Sequence, residues 1–322
     1  MNRREFIAGL GSAAAWPVVA RGQKQGQTAR VGILNYFDDR YPLVTEFAES
    51  LRGLGYIQGQ NLTIIHRWAS GRLDSLPTLA AELVASKIDV MIAFGPATWA
   101  AKRATTTIPI ITTFSGDPVG VGLVSNLAHP GGNITGFSYM STDLASKRVE
   151  LLSEFHGSHS RFAALYNPGE PVTKLELEQT ETAARALGLT LQAVPVTQTA
   201  ELESAFSTAV GERAGGVIVF THGFAEFYKR NIIEAAARRM PAVYGWRDFV
   251  VEGGLMSYGP NLQQMVRTAA SYVDRIIRGE KPGDLPIQQP DRLDLVINLK
   301  TAKALGLTIP DSILARADEV IE

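Results

Sequence analysis

The sequence predicts an α/β fold of two similar lobes, each built on a doubly wound parallel sheet, joined by a three-strand hinge. Two observations support this prediction. Short β-rich runs alternate with helical patterns from Arg30 onward, and the alternation starts again after a helix over residues 143–155. Alternating βα units indicate a parallel sheet that is covered on both faces, and their repetition indicates two lobes.

The first lobe is predicted from its apolar spacing. Its first helix is clear because Leu43, Val44, Phe47 and Leu51 recur at helical spacing before Gly55. We expect strands over residues 31–35, 62–65, 90–94, 108–114 and 134–137, and further helices over residues 73–86 and 98–105.

The second lobe repeats this pattern and then becomes less regular beyond residue 253. We expect strands over residues 162–166, 189–196, 217–220, 242–244, 255–258 and 293–298. We expect helices over residues 173–187, 201–213, 225–240, 262–277 and 302–305, and a stiff extended link over 282–286.

Three crossings between the lobes are expected, over residues 138–143, 248–254 and 281–289. The chain then divides into an export signal and linker, an N-terminal lobe and a C-terminal lobe. The export signal and linker are residues 1–27. The N-terminal lobe is residues 28–138 plus 254–281, and the C-terminal lobe is residues 139–253 plus 282–322.

Composition excludes several classes of protein and site. The 322 residues include 31 Lys plus Arg against 32 Asp plus Glu, a net charge of −1, which argues against a nucleic-acid-binding protein. The absence of cysteine excludes disulfides, thiolate zinc sites, iron–sulfur clusters and cysteine nucleophiles. The chain also lacks the glycine-rich loops that bind nucleotide phosphates.

Histidines and carboxylates do not form a recognisable catalytic or metal motif. His156 and His159 are the only histidines close together in the sequence, and no carboxylate in the same turn completes a metal set. We therefore expect no metal, no cofactor and no catalytic residue.

The N-terminus has the pattern of an export signal. Arg3 and Arg4 precede an apolar stretch from Phe6 to Ala20, and small residues offer a cleavage site near Ala20. The paired arginines resemble the twin-arginine export motif, and Sec export remains an alternative. The stretch is too short to span a bilayer. We therefore expect this segment to be cleaved off and the mature protein to be periplasmic.

Candidate ligand-binding residues follow the strands of the first lobe, because ligands bind beyond the carboxyl ends of parallel strands. Gly95, Ala97 and Thr98 form a small-residue turn that offers backbone N–H groups and a hydroxyl to a carboxylate. Thr98 acting only as a cap of its own helix is an equally open interpretation.

The next strand is followed by a second candidate segment. In the segment Ser115–Gly116, Gly116 allows close backbone approach, and Asp117 offers a carboxylate to a ligand amino group. Asp117 also suits an Asx turn before Pro118, so both interpretations stay open.

Polar and aromatic residues mark the equivalent strand ends of both lobes. Asn167, Thr221 and His222 are the polar candidates of the second lobe, although such residues often serve only local turns. Aromatic side chains at the rims are expected to stack on a planar ligand, and about half of them to serve the core instead. The aromatic candidates for the ligand site are Tyr36, Phe37, Tyr244 and Trp246.

Residues 115–136, which read SGDPVGVGLVSNLAHPGGNITG, closely resemble the signature of the ABC transporter substrate-binding protein family that includes tryptophan- and tyrosine-binding members. Weaker agreement occurs in residues 54–62, 184–189, 258–261 and 295–307. The resemblance implies a type I periplasmic-binding-protein fold, a small solute held between two lobes, and delivery to an ABC permease in the inner membrane. His222 departs from the acidic residue that the family pattern implies after this strand.

The sequence thus predicts a periplasmic solute-binding protein, expected to be a monomer, that captures an amino acid or an aromatic or carboxylate compound. Two alternatives stay open. One is a ligand-sensing module of a periplasmic signalling system, and the other is a cleft hydrolase with Asp117 and His222 as its acid/base pair.

Overall fold

The computed structural model describes residues 28–155 and 160–322. The predicted export signal and its cleavage site near Ala20 lie outside the described residues, as do His156 and His159. The strands are β1 Ala29–Asn35, β2 Leu62–Trp68, β3 Val90–Phe94, β4 Ile110–Ser115, β5 Ile134–Ser138, β6 Arg161–Tyr166, β7 Thr190–Pro195, β8 Val217–Val219, β9 Ala242–Tyr244, β10 Met256–Pro260, β11 Leu293–Asn298 and β12 Glu319–Ile321.

The helices lie between these strands, as expected for βα units. They are α1 Pro42–Gly53, α2 Leu76–Ala85, α3 Ala97–Ala104, α4 Ala145–Phe155, α5 Pro171–Ala186, α6 Leu202–Gly211, α7 Gly223–Phe227, α8 Lys229–Ala237, α9 Arg247–Val251, α10 Leu262–Ile277, α11 Leu299–Ala304 and α12 Asp311–Leu314. Within residues 28–155 and 160–322, no helix has both the length and the apolar composition that a bilayer crossing requires.

The first lobe is built on a five-stranded parallel sheet in the order β2-β1-β3-β4-β5. Helices α2 and α3 pack together against it, and α1 packs with α10. Helix α10 returns to this lobe because its apolar residues, including Val266, Ala269 and Val273, form one fully buried face. The predicted fold class is confirmed for this lobe.

The second lobe is built on a seven-stranded sheet in the order β12-β11-β10-β9-β8-β6-β7. Its pairs are parallel except for β10 with β11, which is antiparallel. Alternate residues of β6 enter different cores: Ala163 and Leu165 join the core that continues into the first lobe, whereas Phe162 and Ala164 join a separate core under α4 and α5.

The sheet pairing changes the division of the chain between the lobes. β10 pairs with β9 and β11 and so lies in the second lobe, whereas the sequence division placed residues 254–281 together in the first. The second crossing therefore lies at Asn261, the N-cap of α10, and not over residues 248–254, where α9 forms. The sequence pattern could not show this because it does not specify a strand's partner.

The third crossing also differs from its prediction. Residues 282–284 form a 3-10 turn and not an extended link. The following residues pair with the first lobe: the Gln288 N–H donates to Gly136 O at 2.9 Å, and the Ser138 N–H donates to Gln288 O at 2.9 Å. The segment up to Gln288 thus packs on the first lobe, although the sequence division gave it to the second.

The predicted helix over residues 225–240 is two helices, α7 and α8, separated by Tyr228. The backbone of Tyr228 leaves the helical region, with φ −104° and ψ 27°. Its ring packs against Phe224 and Phe227, with both ring centroids 4.8 Å away. The break thus gathers three aromatic rings at the edge of the second lobe that faces the first.

Candidate ligand-binding site

A cavity of about 370 Å³ lies between the two lobes, at the carboxyl ends of the parallel strands. This volume falls within the roughly 300–1,000 Å³ of small-molecule pockets. The first lobe contributes Phe37, Leu73, Leu76, Gly95, Pro96, Thr98, Trp99, Arg103, Phe114, Ser115, Gly116, Val121 and Leu123. The hinge and the second lobe contribute Tyr139, Gly169, Glu170, Pro171, Val172, His222, Gly223 and Trp246.

Aromatic rings form a large part of the cavity wall. Phe114 from the first lobe faces Trp246 from the second, with ring centroids 6.2 Å apart. Tyr139 meets the same indole edge to face at 5.6 Å, and its hydroxyl donates to Thr221 O at 2.7 Å. Such a wall binds a planar or apolar ligand by burial and by ring contacts.

Glu170 is the only Asp or Glu among the residues that line this cavity. One carboxylate oxygen accepts from the Phe224 N–H at 3.0 Å and lies 3.2 Å from Nδ1 of His222. The other accepts from the Gly223 N–H at 3.1 Å. Burial opposes ionisation, but these hydrogen bonds and the His222 ring hold the pKa of Glu170 below its usual value. The cavity therefore contains a buried carboxylate that is ionised at neutral pH.

The lobes touch each other beside the cavity. A Cβ atom added to Gly223 would lie 2.7 Å from Cδ of Pro96 and 3.2 Å from Cδ1 of Tyr36, both in the first lobe. A Cβ atom on Gly71 would lie 2.8 Å from the ring of Phe227, in the second lobe. Glycine is needed at both positions for this approach, so the structure shows a closed cleft.

Loop residues 117–124 cover one side of the cavity. The loop is tied to α3 because the Lys102 ammonium donates to Gly122 O at 2.9 Å and to Leu123 O at 3.0 Å. Val121 and Leu123 of this loop line the cavity. The loop thus adds an apolar wall that is held in place by α3, a helix that also lines the cavity.

The structure brings about half of the predicted ligand residues to the cavity. Thr98 does not cap α3; its hydroxyl instead lies 2.9 Å from the Thr112 hydroxyl and donates to Gly95 O at 3.3 Å. The predicted residues that line the cavity are Phe37, Gly95, Thr98, Ser115, Gly116, His222 and Trp246. Their contact with a ligand stays a prediction.

Asp117 lies outside this cavity and forms a turn. One carboxylate oxygen accepts from the Gly120 N–H at 2.7 Å, and the other accepts from the Thr142 hydroxyl at 3.4 Å. The predicted amine-binding role of Asp117 therefore lacks a position in the cavity. The acid/base pair of the hydrolase alternative is not assembled either, because Asp117 does not line the cavity that His222 lines.

The other predicted residues outside the cavity lining serve packing or local turns. Tyr36 is buried at the contact between the lobes, and Ala97 is buried at the start of α3. Asn167 accepts from the Gly169 N–H at 2.9 Å, and the Thr221 carbonyl accepts from Tyr139. Tyr244 stacks on Phe249 with ring centroids 4.7 Å apart. Each position lies at or just after a strand end, but none of these residues lines the cavity.

Sequence reasoning missed Glu170, Trp99 and Arg103. Glu170 lies just before Pro171, where a carboxylate ordinarily caps its own helix; here it makes no such cap and binds the N–H groups of α7. The sequence signal was its place after a second-lobe strand. Trp99 and Arg103 follow Pro96 at helical spacing, which would have placed them on one face of α3.

A family model described as ABC transporter substrate binding protein matches residues 33–321. A protein named "Tyrosine-binding protein" from Clostridioides difficile (strain R20291) is 27% identical over 264 residues, which are 81% of this chain and 75% of that protein.

Two solved structures are similar to this chain at the same sequence identity of 26%. One is an ABC domain from Streptococcus pneumonia in complex with L-Trp, with a TM-score of 0.81, covering 90% of this chain and 100% of that one. The other is a ligand-free, open substrate binding protein from Clostridium difficile, with a TM-score of 0.66, covering 91% of this chain and 99% of that one. The chain thus superposes better on the ligand-bound structure.

Proposed function

The chain belongs to the ABC transporter substrate-binding protein family, and on this premise we propose that it captures an aromatic amino acid, or a close relative of one, between its lobes. The observation that carries this proposal is the interlobe cavity of about 370 Å³, with aromatic walls and one ionised carboxylate. The names of the tyrosine-binding and L-Trp-bound relatives agree with that ligand class.

The polarity of the cavity suggests how such a ligand is oriented. Glu170 accepts a hydrogen bond from the ammonium group of the ligand. Such a bond is strong because the carboxylate is ionised and buried. The ligand carboxylate lies at the turn from Gly95 to Thr98, at the start of α3, and at Ser115–Gly116, at the end of β4, where backbone N–H groups bind it. The aromatic body then lies against Phe114 and Trp246.

Closure of the lobes links ligand capture to delivery. Phe37 and Gly95 line the cavity from one lobe, and Glu170 and His222 line it from the other. A ligand makes both sets of contacts only when the cleft is shut, so binding favours the closed form. A permease that recognises the closed form then accepts loaded protein in preference to empty protein.

Export and partner are part of the same proposal. Members of this family are typically exported and periplasmic, and the Arg3-Arg4 segment is proposed to act as a twin-arginine signal cleaved near Ala20. The mature chain is proposed to act as a monomer that meets a membrane permease. Fusion of residues 1–24 to a folded reporter tests the signal: export should stop when both arginines are changed to lysine.

Titration calorimetry with L-tyrosine, L-tryptophan and L-phenylalanine tests the ligand class. The mature chain should bind at least one of them with heat that saturates at one ligand per chain. Glu170→Gln should weaken that binding by about 10- to 100-fold, because it removes a charge-assisted hydrogen bond worth about 1.5–3 kcal/mol.

A matched control separates this effect from a general change in charge. Glu178 is exposed on α5 and does not line the cavity, so Glu178→Gln should leave the affinity unchanged. Equal affinity in the Glu170→Gln variant and the wild type would contradict the proposed position of the amine. Absence of binding to all three amino acids would contradict the ligand class.

A further inference from the structure

We propose that Arg103 forms an outer subsite of the interlobe cavity, which selects ligands that carry an anionic group at the end opposite their amine. This inference rests on the proposed function, because it takes Glu170 as the residue that binds the amine. It names a narrower ligand class: an amino acid with an aromatic body and a distal carboxylate.

The cavity lining contains one acidic residue and one Lys or Arg residue. Glu170 is its only Asp or Glu, and Arg103 is its only Lys or Arg. Most of the other large side chains of the lining are apolar, including Trp99 and Val121. A ligand that fills this cavity therefore meets an anion and a cation separated by an apolar wall.

The geometry of α3 fixes the spacing of the two charges. Pro96, Trp99 and Arg103 are three and four residues apart and all line the cavity, so one face of the helix runs along it. Pro96 lies against Gly223, whose N–H bonds to Glu170. Seven residues of helix rise by about 10 Å, so Arg103 stands roughly that far along the axis from the Glu170 end.

Arg103 is available to a ligand. Its side chain is exposed, and within residues 28–155 and 160–322 it has no ion pair or hydrogen-bond partner. Its neighbour Lys102 is by contrast occupied by the carbonyls of Gly122 and Leu123. A guanidinium pairs with a carboxylate through two parallel hydrogen bonds. Because this end of the cavity remains in contact with water, the pair forms without the full cost of burying two charges.

The probes 4-carboxy-L-phenylalanine and L-phenylalanine differ only in the distal carboxylate and so test this subsite. Titration calorimetry at low salt should show roughly tenfold tighter binding of 4-carboxy-L-phenylalanine to the wild type. Arg103→Gln should abolish that preference while L-phenylalanine binds as before. Raising the salt from about 20 to about 200 mM should reduce the preference, since the pair is partly exposed to solvent.

Arg52→Gln is the matched control. Arg52 is exposed on α1 and does not line the cavity, so this variant has the same change in charge and should keep the preference. Binding of L-phenylalanine without a preference in the wild type, or a preference that persists in Arg103→Gln, would overturn the outer subsite and leave the proposed function standing. Binding of neither probe would overturn the outer subsite, and the proposed function falls only if L-tyrosine and L-tryptophan also fail to bind.

Discussion

Replacing Gly223 by alanine should weaken ligand binding by holding the lobes apart. The added Cβ would lie 2.7 Å from Cδ of Pro96 and 3.2 Å from Cδ1 of Tyr36. Carbon atoms in contact prefer about 3.5–4.0 Å, so the lobes must separate by about 1 Å at this point or distort. The backbone of Gly223 is not in the left-handed region, so alanine can adopt the same backbone conformation without strain. The effect of the substitution therefore comes from the contact between the lobes.

The size of the effect follows from overpacking a closed interface. One extra methyl group in a well-packed contact costs about 1–3 kcal/mol, which raises Kd by roughly 5- to 150-fold. The free energy of unfolding of the ligand-free chain should change little, because opening of the cleft relieves the contact. Titration calorimetry measures the first quantity and urea unfolding the second.

Gly211→Ala provides the control for the added methyl group. Gly211 ends α6 in the same lobe, and a Cβ atom there would meet nothing within 4 Å. This variant should keep the wild-type affinity. If Gly223→Ala also keeps it and gives the same small-angle scattering profile with ligand, the contact with Pro96 does not govern closure and the reasoning is refuted.

Three further variants test other parts of the structure. Asp117→Ala should leave affinity within about twofold but cost about 1 kcal/mol of stability, because its carboxylate serves Gly120 and not the cavity; a tenfold loss of affinity would contradict this. Arg148→Met should cost about 3–5 kcal/mol in urea unfolding, because it leaves Glu176, its buried partner at 2.9 Å, unpaired; a loss below 1 kcal/mol would refute it. Burial raises the pKa of Glu226 from 4.5 to about 7. The protonated Glu226 carboxyl therefore contributes its full stabilisation below about pH 4.5, and this stabilisation is lost as pH rises through 7. Calorimetric scans should therefore show Glu226→Gln losing less stability than the wild type between pH 5 and 8, and parallel profiles would contradict the shift.

Much of the fold could be predicted because βα units leave a strong apolar pattern. Three strands have the predicted bounds, Val90–Phe94, Ala242–Tyr244 and Leu293–Asn298, and α10 also matches. The errors concern partners: β10 joins the second sheet through hydrogen bonds to β9 and β11, which no local pattern reveals. The short elements α9 and β12 were missed because five and three residues carry too little periodicity.

The candidate site could be predicted only where it depends on strand ends. The rule that ligands bind beyond parallel strands selects Gly95, Ser115 and Gly116, which line the cavity; their contact with a ligand stays a prediction. It could not distinguish Asp117 from Glu170, because both follow a strand. Their roles differ through tertiary contacts: Asp117 turns back to its own loop, whereas Glu170 meets N–H groups more than fifty residues away.

Ligand-driven closure is most directly tested by a distance measured across the cleft. The sequence contains no cysteine, so Asp74→Cys with Lys174→Cys places one spin label on each lobe, at exposed positions one residue from Leu73 and two residues from Val172, which line the cavity. Addition of a saturating amino acid ligand should shorten and narrow the distribution of label distances. An identical distribution with and without a ligand that calorimetry shows to be bound would contradict the account.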